Sequence, residues 1–368
     1  MYKSHVNSVH IEVTDRCNAL CPACPRSFSG SFEMPYVKNQ ELGLEYFKLL
    51  GKEFISNIKT WNFCGTKGDP ASAQELFEIL DYILDCNPKA FIEVRTNGGA
   101  RNPKFWKSIG ERFKGTYSSV VWSIDGWEET NHIYRRNVKW SKLFENLQAY
   151  VRTEAPAKWE FNKFAHNMHE LPIIENFCKK NNIDLILREP FGFETLDAMT
   201  IDSEYKEQVK TLPVYKIVDD MAVLDYEIEP FDKENKILVS TSRKQVHKDE
   251  IGLKPGVYNK ENWYNVNGAN IDVECVVSTK DHRQEIYIDS DGTILPCCYI
   301  GSKYIMGDEQ CREMIDPVKE SLIVSADNSI YDVLNSDFFQ TTMPSGIQGN
   351  MDNDVEYCIT CLHHCRKR

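Results

Sequence analysis

The chain has 368 residues, 42% hydrophobic and 27% charged, an ordinary composition for a soluble globular protein of two domains, or one large domain with an appendage. Forty-three Lys and Arg against 55 Asp and Glu leave a net charge of −12, which argues against a general nucleic-acid or anionic-membrane binder. No apolar run approaches the roughly 18–20 residues that span a bilayer, and the N-terminus lacks the apolar core of a signal peptide. The thirteen cysteines are therefore expected in a reducing cytoplasm, as metal ligands more readily than as disulfides.

Val9 to Val13 reads as a first strand, running into a loop that carries Cys17, Cys21 and Cys24. Leu42 to Phe54 has helical spacing. Thr60 to Cys64 is a second strand, followed by a Gly-rich loop to Pro70 and a helix through Leu76, Ile79, Leu80 and Ile83. Phe91–Thr96 is a third strand, closed by Asn97, Gly98 and Gly99. Val120 to Ile124 is a fourth, with a helix from Trp140 to Val151 after it; Trp159 to Phe164 and Leu185 to Leu187 supply a fifth and sixth. Strand, ligand-rich loop and helix in repetition are the α/β plan of a partial parallel barrel whose site lies at the C-terminal strand ends. Residues 216–270 are polar and break this rhythm, as a connecting or cap segment with a hairpin would. Residues 271–368 hold seven of the thirteen cysteines in about a quarter of the length.

Three closely spaced thiolates can hold three irons of a [4Fe–4S] cube and leave the fourth without a protein ligand, an open position where a small molecule can be activated. A zinc knuckle or disulfides are the plainer readings. Zinc wants a nearby fourth Cys or His, and only Cys64 and Cys86 follow within the next hundred residues. The spacing Cys17-x3-Cys21-x2-Cys24 resembles the signature of the radical SAM superfamily. That resemblance implies S-adenosylmethionine (SAM) chelated by the open iron and cleaved reductively to a 5′-deoxyadenosyl radical. It also implies a partial (β/α)6 radical SAM barrel over 1–215, a connecting or cap segment over 216–270, and a small cysteine-rich SPASM/twitch domain over 271–368.

The resemblance extends to the loops. The run from Cys64 to Pro70 is similar to the family's Gly-Gly-Glu-Pro loop, which receives the methionine amino group, with Asp69 where Glu is usual. Gly65 and Gly68 let the backbone approach a ligand. Thr96 and Asn97, then Ser123 and Asp125, look like the ribose and methionine contacts, and Arg135 or Arg136 like the fork that meets the SAM carboxylate. Each has a plain counterpart as a loop, a helix cap, an Asx turn or a solvated arginine pair. Ala23 replaces a frequent aromatic residue, so adenine is expected against the sixth-strand region around Leu187. Asn162 and His166 could also face the cavity.

In the C-terminal part, Glu285 to Cys298 contains an Asp-Gly hairpin signal, and Gly292 precedes Cys297 by five positions, which looks like entry to a SPASM or twitch domain. Ser329 to Asp337 resembles the short helix before the last ligands. On this reading Cys275, Cys297, Cys358 and Cys361 hold one auxiliary [4Fe–4S] cluster, with Cys365 and then Cys298 as substitutes and Cys311 an ordinary small residue. Zinc on Cys358, Cys361, His364 and Cys365 is the competing set. Cys64, Cys86 and Cys178 read as buried apolar thiols.

Together these imply an oxidoreductase or modifying enzyme that abstracts hydrogen from a peptide or protein. The alternatives are a small polyol or aminosugar dehydrogenase, and a zinc or iron–sulfur binding module without SAM chemistry. A flavodoxin- or ferredoxin-type reductant is the implied partner. No residue is assigned a catalytic role beyond the cluster, and the early start of the first strand leaves no room for an N-terminal peptide-recognition module.

Overall fold

The computed structural model describes residues 6–190, 211–231 and 284–344, with the backbone of 209–210, 238–239 and 246–247. Cys275, Cys358, Cys361, His364 and Cys365 lie outside the described residues. Six parallel strands follow one another in sequence and in space: β1 (Ser8–Ile11), β2 (Thr60–Phe63), β3 (Phe91–Thr96), β4 (Ser119–Ser123), β5 (Ala157–Asn162) and β6 (Ile183–Arg188). Parallel neighbours need crossovers, and helices supply them. These are α1 (Leu44–Leu50) and α2 (Lys52–Asn57), α3 (Leu76–Cys86), α4 (Pro103–Phe113), α5 (Asn131–Tyr134) and α6 (Trp140–Val151), and α7 (Leu171–Lys180). The single helix expected over 42–54 is broken because Gly51 sits at φ 84, outside helical space.

An antiparallel hairpin follows, β7 (Leu212–Val218) and β8 (Met221–Ile228), turning through Asp219 and Asp220 at φ 49 and 62. Two left-handed residues in a two-residue turn match the right-handed twist of a hairpin. After the undescribed stretch, β9 (Glu285–Ile288) pairs in parallel with β1, His10 opposite Tyr287, and β10 (Ile294–Leu295) returns antiparallel to β9. The sheet therefore reads β10-β9-β1-β2-β3-β4-β5-β6, with seven strands parallel. Helices α8 (Cys298–Ile305), α9 (Glu309–Ile315) and α10 (Ile330–Asn335) follow, the last begun by a Ser329/Asp332 capping box.

Period-two alternation sorts each strand. One face carries Val9, Ile11, Trp61, Phe63, Ile92, Val94, Trp122, Trp159 and Phe161, all buried against the helices. Trp106 of α4 meets Trp122 of β4 at 4.7 Å between ring centroids. Burying each such ring contributes about 1.5–3 kcal/mol. The opposite face carries His10 and Glu12, Asn62 and Cys64, Glu93 and Arg95, Lys158, Glu160 and Asn162, and Tyr287 and Asp289. Barrel interiors are usually filled by branched apolar side chains. A polar interior is costly unless paired, and here it is: Arg95 bridges Glu93 at 2.7 Å and Glu160 at 2.8 Å, while Lys158 and Arg188 close the same carboxylates at 2.7 and 2.8 Å.

Candidate functional site

The cysteine loop leaves β1 and is pinned from within. Arg26, with its side chain 2% exposed, donates Nη1 to the carbonyls of Cys17 and Ala19 at 3.3 and 3.1 Å, and Nη2 to Glu33 at 2.7 Å. Ser27 Oγ donates to the Cys21 carbonyl at 2.7 Å. With its backbone held, the loop presents its sulfurs to donors. Ala19 N and Asn97 Nδ2 each reach Cys17 Sγ at 3.4 Å, and Arg135 Nη1 reaches Cys21 Sγ at 3.6 Å. Burial raises all three thiols, Cys24 to about 12 and Cys17 further still, so a metal group seated there displaces protons.

Glu12, one turn of pleat above His10, locks the second-strand loop by accepting from the amides of Thr66, Lys67 and Gly68 at 2.6, 3.2 and 3.4 Å. Gly68 has no room for a side chain: a Cβ would meet the Thr14 carbonyl oxygen at 1.9 Å. Asp69 spends its carboxylate on the protein, accepting from Ala71 N at 3.0 Å, Thr96 Oγ1 at 2.9 Å and Asn97 N at 2.8 Å. It thereby ties the second loop to the end of β3. Asp125, fully buried, accepts from Arg135 Nε at 2.6 Å and from Asn162 N and Nδ2 at 2.8 and 3.0 Å. Burial raises its carboxyl, with Arg135 and Asn162 pulling the other way.

These elements enclose one cavity of about 510 Å³ at the C-terminal strand ends, lined by Cys17, Cys21, Ala23, Cys24, Gly65, Gly68, Asp69, Thr96, Asn97, Ser123 and Arg135. Sequence reasoning named every one of these. It missed Arg26, Tyr134, Arg95 and Glu160, which also line it, and it placed Cys64 among the apolar thiols although Cys64 is half-buried and lines the same wall. The signal for Cys64 was its parity: two residues beyond Asn62 it falls on the polar face. Asp125 stands behind the wall, holding Arg135.

Other expected positions lie elsewhere. Arg136 turns to the hairpin, meeting Asp225 at 3.3 Å, and its ring neighbour is Tyr226. Leu187 is paired with Phe161, on the helix side of the sheet, 44% exposed, and does not line the cavity; strand parity puts it there. His166 lines a separate cavity with His132, Ile133 and Tyr226. Cys297 is buried at the start of α8, whereas Cys298 lines the cysteine cavity.

The donor set fits a group that takes three thiolates and leaves room beside them, as the cube with one open iron does. Among the described residues no helix is long and apolar enough to cross a membrane.

The architecture is a partial parallel α/β barrel with its cavity at the C-terminal strand ends. A crystal structure of Streptococcus suis SuiB bound to S-adenosylmethionine superposes with a TM-score of 0.51 at 13% identity, over 94% of this chain and 68% of that one. A structure of BtrN in complex with AdoMet and 2-DOIA gives a TM-score of 0.38 at 13% identity, over 94% and 88%. In sequence, GTP 3′,8-cyclase of Staphylococcus epidermidis is 24% identical over 182 residues. That match covers 48% of this chain and about half (52%) of the length of the curated relative. No family model matches. The likeness to the SuiB structure is one of fold.

Proposed function

We propose that the chain is a radical SAM enzyme, and that its cysteine cavity is the active site. The observation that carries the reading is the convergence of Cys17, Cys21 and Cys24, Asn97 and Arg135 on one cavity at the C-terminal strand ends. A cluster seated there would supply one-electron reducing chemistry to bound SAM, and through it radical abstraction of hydrogen from a substrate. Cys17, Cys21 and Cys24 would hold three of its irons. The N–H donors of Ala19, Asn97 and Arg135 stabilise charge on the sulfurs. Gly65 and Gly68 give close backbone approach, Thr96, Asn97 and Ser123 offer amide and hydroxyl partners, and Arg135, oriented by Asp125, is the fork for a carboxylate.

A peptide or protein is the proposed substrate, by analogy with the superfamily alone. The polar wall of Arg95 and Glu160 favours a second reading, a hydroxyl- or amine-bearing small molecule. A one-electron donor of flavodoxin or ferredoxin type is the proposed partner. An auxiliary cluster on Cys275, Cys297, Cys358 and Cys361, in a C-terminal twitch-type domain, completes the proposal.

The test is anaerobic iron and sulfide content with SAM turnover, for wild type and for Cys17/Cys21/Cys24→Ala. Loss of about four irons from the variant, with deoxyadenosine formed only by wild type, supports the reading. Equal iron in both, or no deoxyadenosine under any reductant, overturns it.

A further inference from the structure

The Gly-rich loop after β2 is gripped from behind by two buried carboxylates on neighbouring strands. Ile11 of β1 pairs with Ile288 of β9, and one residue beyond that pair stand Glu12 and Asp289, both buried. Glu12 takes the amides of Thr66, Lys67 and Gly68. Asp289 takes a side chain of the same run: Lys67 Nζ lies 2.5 Å from each of its carboxylate oxygens, with the lysine side chain only 13% exposed. Cys64, Gly65, Thr66, Gly68 and Asp69 all line the cysteine cavity, whereas Lys67 does not and turns back toward β9. Burial raises the Asp289 carboxyl, Lys67 pulls it down, and Asp291 and Glu12 raise it again. Either charge left alone in such a place is costly, so the pair is a fixed joint in a loop whose glycines would otherwise leave it free.

Asp289 belongs to a distant part of the chain. It opens a turn in which Gly292 N donates to the Asp289 carbonyl at 2.8 Å and Asp289 N to the Thr293 carbonyl at 2.9 Å. The chain then returns through β10 to Cys297 and α8, whose Tyr299, Ser302 and Met306 line the same cavity. We propose that Lys67 and Asp289 are positioning residues that fix the Gly-rich loop in its SAM-receiving shape, and so place SAM affinity under the control of the C-terminal part. The proposal rests on the radical SAM reading of the cavity. Coupling between sites is reciprocal, so SAM on the loop steadies β9 and its turn in return.

Two measurements on the full chain test it. Hydrogen–deuterium exchange is followed in cluster-free protein for wild type, Lys67→Met, Asp289→Asn and the double variant. Each single change is expected to speed exchange of the Thr66, Lys67 and Gly68 amides by about tenfold. The double variant should add nothing further, because both changes remove one bond. Equilibrium dialysis of SAM against anaerobically reconstituted protein is expected to show Kd about tenfold higher in each variant, with iron content kept. Unchanged loop exchange overturns the proposal. So does a lowered unfolding midpoint with SAM affinity of the folded protein unchanged, which is what a merely structural ion pair predicts. If the single variants fail to fold, the double variant, with no charge left behind, is read against wild type. In wild type itself SAM is expected to slow exchange over 285–295, and no change there also overturns the coupling. Wild type that binds no SAM refutes the radical SAM reading instead, a result distinct from equal binding by all four proteins.

Discussion

Replacing Asp125 with alanine strands a buried guanidinium. Asp125 is fully buried and accepts three hydrogen bonds, one from Arg135 and two from Asn162, while the Arg135 side chain is only 16% exposed. Breaking a buried pair by removing one partner costs about 3–5 kcal/mol, because the remaining charge is left in a poorly solvated site. Asp125→Asn keeps the shape and one acceptor, and is expected to cost about 1–3 kcal/mol. Removing both charges, in Asp125→Ala/Arg135→Met, is expected to cost less than the sum of the single changes by about 2 kcal/mol. The assay is anaerobic urea unfolding of cluster-free protein, followed by far-ultraviolet circular dichroism and by the fluorescence of the buried tryptophans. Single changes that add to within about 0.5 kcal/mol would refute the coupling, and with it the claim that Asp125 positions Arg135. A companion measurement is iron retention: Asp125→Ala is expected to lose iron faster than wild type, because Arg135 also donates to Cys21.

Gly68→Ala is expected to cost about 1–3 kcal/mol and to weaken SAM binding measured by calorimetry, since the new methyl group meets the Thr14 carbonyl. Gly115→Ala, at φ 76 with nothing within 4 Å, tests backbone strain alone and should cost about 1–2 kcal/mol with SAM affinity unchanged. Glu160 gives a pH prediction. Burial would raise its carboxyl, but Arg95 and Arg188 outweigh burial and hold it below the ordinary glutamate range. A depressed carboxylate stabilises fully above its unfolded value, about pH 4.3, and loses that share as pH falls through the lower folded value. Glu160→Gln should therefore flatten the acid side of the stability curve below about pH 4.3, and an unchanged acid limb would count against the Arg95–Glu160–Arg188 ladder.

Local pattern carried the βα repeat well, for a physical reason. Phe91–Thr96 and Trp140–Val151 were legible to the residue because each element buries one apolar face, and its period shows in sequence. The three loop cysteines stood out by their close spacing, and the fold brings all three to one cavity. What was illegible depends on partners distant in sequence. Nothing local to Glu285–Ile288 says that it pairs with β1 rather than only with β10. Nothing local to Arg26 distinguishes a buried loop pin from a solvated arginine. Cys64 and Leu187 were misplaced by one step of strand parity, which reverses what a side chain faces.

Seating β9 against β1 also sets the order in which the molecule can be made. The two strands are 277 residues apart, yet Ser8 Oγ already bonds Glu285 across them. At about 5–20 residues per second, a ribosome leaves β1 waiting roughly a quarter of a minute to a minute for its second neighbour. Through that interval one edge of β1 offers unpaired backbone groups to any passing strand. The loop that hangs from β1 is equally unsettled, so iron delivered to a nascent chain would meet an unfinished cradle. Fragments that stop short of residue 285 lack this neighbour for β1 and should aggregate when synthesised.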